Sequence, residues 1–166
     1  MTVITQLDTS TPAVPQAQIA HALSRVAADA AVLRLKIQSA RWHVAGPGRQ
    51  GLADLLGERE GELTHLLNLV AGRLRALGFK VPAGLASHPT YGSIGPDPVT
   101  GDEPAGSDPG VRLRGLRADL ECLIASCRTA HAMAEPVDAP AAARLAAQLR
   151  VLERAAWMLS AQAADG

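Results

Sequence analysis

Asp54, Glu58, Glu62 and His65 are the residues of this chain best spaced for metal chemistry. At about 100° per residue, Asp54, Glu58 and His65 fall within about 40° of one another on a helix, with Glu62 flanking them. Glu62 and His65 form a Glu-x-x-His pair, which offers one carboxylate and one imidazole to the same ion. Bundle sites that bind two metals need two such pairs and further glutamates, and the chain has one. The plainer reading of these four residues is a solvated helix face.

A second stretch, "ARWHVAG" (40–46), raises a similar question. Arg41, Trp42 and His43 stand together just before the Gly46-Pro47-Gly48 break. A histidine at a helix end caps the last carbonyls more often than it binds a metal. His21, His88 and His131 are isolated. "GPGRQG" follows no strand and lacks the lysine of a phosphate loop, and no Ser/His/Asp arrangement has a local signature.

Four helices must position these groups. Apolar residues Ile19, Leu23, Val26, Ala30, Leu33, Ile37 and Trp42 recur at helical spacing from about 15 to the break at 46–48. A second run, about 49–77, carries Leu52, Leu55, Leu56, Leu63, Leu66, Leu67, Val70 and Leu74, with Gly78 as its C-terminal cap. Two more helices are expected at about 111–134 and 139–163, with Asp138 as N-cap and Pro140 in the first turn of the last one. Residues 79–110 are rich in Pro and Gly and lack a sustained period. A loop of that length inside one domain points to a function or an interface, with room for a short helix. Residues 1–14 read as a tail, and 15–163 as one domain.

Composition agrees with an all-α chain. Hydrophobic residues make up 48% and aromatic ones 2% of 166 residues, so the core is built from Leu, Ala and Val. Sixteen basic and sixteen acidic residues cancel, so no net field draws the protein to nucleic acid or an anionic membrane. Cys122 and Cys127 point about 140° apart on a helix and cannot bridge within it. Two free thiols, no signal peptide and no apolar span imply a cytoplasmic protein.

Short links within each helix pair and one long crossover between the pairs describe a ferritin-type four-helix bundle. The stretch "LKIQSARWHVAGPGRQGLADLLGEREGELTHLLNLVAGRLRALG" resembles the Dps proteins, ferritin-like DNA-binding proteins of starved cells. Trp42, Val44, Gly46, Arg73, Leu77 and Gly78 fall where that family has them, and "LERAAWMLSA" is similar to its closing segment. The resemblance implies a dodecameric homo-oligomeric cage that stores iron, protects against stress and oxidises Fe(II) at a centre shared by two subunits. In its frame the five ligand positions of that centre are Arg41, Ala53, Gly57, Asn68 and Gly72, all changed from His, Asp or Glu. Ferrous iron needs carboxylate oxygen and imidazole nitrogen, so the expectation is a shell subunit with a degenerate ferroxidase site and no enzyme activity of its own, assembling by itself or with an active paralogue.

The replaced positions join a small-residue stripe, Ala53, Gly57, Gly61, Thr64, Asn68 and Gly72. Interior glycines each cost a helix about 0.5–1 kcal/mol against Ala, which implies either close packing across a dimer contact, with Arg41 filling vacated space, or a pocket for another ligand. Two alternatives stay open: iron binding or oxidation through Asp54, Glu58, Glu62 and His65, and nucleoid binding. The tails lack the basic residues of the usual DNA mechanism, so the second would depend on Arg112, Arg114 and Arg117. Trp42 and Trp157 are expected to be core anchors near a dimer contact.

Overall fold

The computed structural model describes residues 14–44, 48–82, 88–95 and 109–164. Five helices appear there: α1 (Val14–His43), α2 (Gln50–Ala76), the one-turn α3 (His88–Tyr91), α4 (Pro109–Ala134) and α5 (Ala139–Ala164). The four long helices fall where the apolar period predicts them. Residues 1–13, 45–47, 83–87, 96–108 and 165–166 lie outside the description, so the expected tail and most of the long loop are not seen.

Helix α1 packs on α2 and on α4, and α4 packs on α5. The core between them is aliphatic, with Leu23, Leu33, Ile37, Leu56, Leu63, Leu66, Leu123, Leu145 and Leu152 all at most 2% exposed. Burying one such side chain contributes roughly 1.5–3 kcal/mol. Trp42 and Trp157 do not join it. They are 73% and 71% exposed, because each indole lies on a helix face turned away from the other helices. As anchors of this chain's own core they are a failed expectation.

The ends of α2 and α5 are fixed together. Gly78 takes φ +82°, which lets Phe79 N–H reach Leu74 O (2.9 Å) and Gly78 N–H reach Arg75 O (3.0 Å), closing α2 with a Schellman motif. Asp138 is the N-cap of α5, its Oδ1 accepting Ala141 N–H at 3.1 Å. Its other oxygen accepts Arg73 Nε–H at 2.6 Å. The C-terminus of α2 therefore meets the N-terminus of α5, and the two run antiparallel. Since α4 and α5 are also antiparallel, α2 and α4 point the same way, and the crossover has to travel the length of the bundle.

A buried carboxylate holds that crossover. Asp29 is the only acidic residue of α1 and is 0% exposed. It accepts the backbone N–H groups of Ser93 and Ile94 and the hydroxyl of Ser126 on α4. His21 meets Tyr91 edge-on at 5.8 Å, Arg25 donates to Ser93 Oγ at 2.9 Å, and Lys36 donates to Gly95 O at 3.3 Å. The chain from 91 to 95 thus lies along α1. No helix among the described residues is long and apolar enough to cross a membrane.

Candidate functional site

The candidate site lies where α1 ends against the first turns of α2. His43 Nδ1 is 2.7 Å from Ser39 O. A carbonyl can only accept, so Nδ1 carries the proton and His43 caps the helix. Three side chains of α1 spaced for one face, Arg34, Gln38 and Arg41, converge on a single carboxylate of α2. Glu60 pairs with Arg41 Nη1 at 3.2 Å and with Arg34 at 3.8 Å, and accepts Gln38 Nε2–H at 3.1 Å. Glu60 is 17% exposed and Arg41 51%. Two guanidinium groups share one acid, which leaves this corner positive.

Arg41 lies across Gly57. A β-carbon on Gly57 would stand 3.6 Å from its Cζ and Nη1, so the side chain occupies the space beside the helix that a residue at 57 would otherwise fill. Ala53, one turn earlier and half-buried, has no donor atom. Asn68 and Gly72 are exposed and lie about 16 and 22 Å further along the α2 axis at 1.5 Å per residue. One chain therefore brings together Arg41, Ala53 and Gly57 and leaves the other two apart. The donor set does not fit iron: its one carboxylate is held by two arginines, and a cation would meet Arg41 directly.

Three of the four metal candidates on α2 have other partners. Asp54 accepts Gln50 Nε2–H at 2.9 Å. Glu58 and Glu62 lie 3.1 and 3.2 Å from Arg59 Nη2, and His65 is exposed. Among the described residues, no three His, Cys, Asp or Glu side chains stand close enough together to hold a metal ion. Burial raises the Glu62 carboxyl above its ordinary value against the pull of Arg59, with Glu58 adding to the rise.

Arg59 is the residue the sequence reading passed over. It is 5% exposed, and its Nε and Nη1 have no protein partner. The signal was its position, one turn from both Leu56 and Leu63 on the core face. Of the basic cluster, Arg117 pairs with Glu121 at 2.9 Å and Arg114 is exposed.

The Ferritin-like domain family matches residues 20–166. The chain belongs to the ferritin-like family. Within it, the likeness is to Dps proteins. A Dps protein from Bacillus brevis has 26% identity and a TM-score of 0.78, with 91% of this chain and 98% of that one covered. Antigen TpF1 of Treponema pallidum has 29% identity over 157 residues, 92% of this chain and 86% of that protein. Its crystal structure gives a TM-score of 0.78 at 25% identity, with 93% and 97% covered. The ferritin-like bundle and the Dps resemblance drawn from the motifs both stand.

Proposed function

We propose that this chain is a shell subunit of a Dps-like cage, in the iron-storage and stress-protection line of the ferritin superfamily, without ferroxidase activity of its own. The observation that carries this is the Arg41 guanidinium lying against Gly57 and paired with Glu60. Two of the family's ligand positions hold a cation and a vacancy that the cation fills. A cation bound there would have to displace a guanidinium from the Glu60 carboxylate, while Ala53 and Gly57 offer it no donor atom.

A subunit without the chemistry is useful through its contacts. The Arg73–Asp138 pair holds the α2–α5 corner, and the exposed indoles of Trp42 and Trp157 supply apolar surface for neighbouring subunits. The assembly we infer is a dodecamer, homo-oligomeric or mixed with an active paralogue. Sedimentation velocity on the purified protein gives its mass. Aerobic Fe(II) oxidation on the same material, with and without peroxide, tests the rest: rates equal to the protein-free control are expected.

A second reading rests on Asp54 and Glu58. Both are exposed and one turn apart on α2, where they can attract iron to a surface without oxidising it. Replacing both with Ala then abolishes any residual iron loading of the assembled protein, and unchanged loading rules the reading out. Oxidation through Glu62 and His65 would instead show as a saturable rate lost in His65→Ala.

A further inference from the structure

The seam between α1 and α4 holds a cavity of about 580 Å³, within the roughly 300–1,000 Å³ of sites that take small organic ligands. We propose that it binds a small amphiphilic carboxylate, its anionic head on Arg25 and His21 and its aliphatic tail running towards Ala17 and Met133. The inference is separate from the shell reading, and neither depends on the other.

The cavity follows from side-chain size and register. Helices α1 and α4 run antiparallel, so the lining residues face one another in order: Ala17 across from Met133, His21 from Thr129 and Arg25 from Ser126. Ala17 and Ala22 on one wall and Ser126 on the other are too short to close a seam that Leu and Ile fill elsewhere. Met133, 43% exposed, ends the groove with a flexible thioether that adapts to an apolar tail. From Ala17 to Arg25 the groove runs about 12 Å at about 1.5 Å per residue, the reach of a medium-chain acyl tail with its carboxylate.

Charge decides the head group. The acidic residues of the two helices are Asp29, Asp119 and Glu121, and each is engaged elsewhere. Asp29 accepts Ser93 N–H, Ile94 N–H and the Ser126 hydroxyl. Asp119 pairs with Lys36, and Glu121 with Arg117. The partner of Arg25 among the described residues is the Ser93 hydroxyl at 2.9 Å, which is neutral and leaves further N–H donors of the guanidinium for a ligand. His21 stands one turn before Arg25 on the same wall, against the edge of Tyr91 at 5.8 Å, with a ring N–H to donate.

The facing wall does not compete for the ligand's charge. The hydroxyl protons of Ser126 and Thr129 go to Asp29 at 2.9 Å and to Ala125 O at 3.1 Å. A carboxylate on Arg25 therefore gains a charge-assisted hydrogen bond that no acid of α1 or α4 supplies, and a cation is refused.

The test is calorimetric titration of the purified full-length protein with octanoate, with octan-1-ol and acetate as probes of tail and head alone. Octanoate should saturate one site per chain, and the other two should each bind at least about tenfold more weakly. Arg25→Gln should weaken octanoate about tenfold and leave octan-1-ol unchanged. Ala17→Trp fills the groove from an exposed position and should remove octanoate binding while the helical circular dichroism stays as in the parent. No saturable binding of octanoate overturns the proposal. So does binding that both variants leave unchanged, which would put the ligand on another surface. Octan-1-ol binding as tightly as octanoate overturns it too, because the site would then read no charge. None of these outcomes bears on assembly or on Fe(II) oxidation.

Discussion

The guanidinium of Arg41 lies 3.6 Å from the point where a β-carbon on Gly57 would stand. These two residues are on different helices, and each explains the other. Without a side chain at 57, Arg41 can lie flat across α2 and reach Glu60 at 3.2 Å. Without an arginine at 41, the interior glycine at 57 would be a cost with no return beside it.

The contact at Gly57 is at ordinary van der Waals distance, so Gly57→Ala fits. It should stabilise the chain by about 0.5–1 kcal/mol through helix propensity, read as a rise in thermal midpoint. Gly61→Ala should do the same, since among the described residues nothing lies within 4 Å of a β-carbon there. A midpoint that falls in either variant would mean that the position is more crowded than this.

Asp29 serves three donors from two distant segments. Asp29→Ala leaves Ser93 N–H, Ile94 N–H and the Ser126 hydroxyl facing a void. The expected loss is about 3 kcal/mol of unfolding free energy, measurable by urea titration. Amide exchange should quicken first at 93 and 94. A variant as stable as the parent would mean that water replaces the carboxylate.

Burial raises the Glu62 carboxyl above its ordinary 4.5, so the folded protein holds that proton more tightly than the unfolded chain does. Stability from this group is therefore full below about pH 4.5 and is lost as pH rises through the raised folded value. Glu62→Gln keeps the shape and removes the ionisation. It should melt higher than the parent at pH 7, with the gap closing as the pH falls towards 4. A gap that widens in acid would contradict the assignment.

Burial, with Asp29 nearby, pushes the Cys127 thiol up to about 12, while Cys122 is exposed. Thiolate is the reactive form. A thiol reagent at neutral pH should titrate one cysteine per chain in the native protein and both in denaturant. Two fast thiols in the native state would mean that α4 opens.

The helices, their caps and the bundle were legible because each rests on a local signal: the apolar period, Gly78 after a leucine run, Asp138 two residues before Pro140. The site was half legible. Arg41 and Gly57 stood out as replacements in the motif frame, but the carboxylate that Arg41 reaches, Glu60, did not, since its role depends on how α1 faces α2. Asp29 and Arg59 were missed for the same reason. A lone charge in an apolar helix carries its meaning in long-range partners, 64 and 97 residues away for Asp29. The tryptophans were misjudged because hydrophobic size does not say which side of a helix faces its own bundle.

The central claim is that the chain builds a shell and leaves iron chemistry out of it. The most direct measurement is the initial rate of aerobic Fe(II) oxidation, alone and with peroxide, on assembled protein freed of metal. A rate equal to the protein-free control, at any iron loading, is what the Arg41–Gly57 arrangement predicts. A fast rate that saturates with iron would contradict it and would place a working centre on this chain.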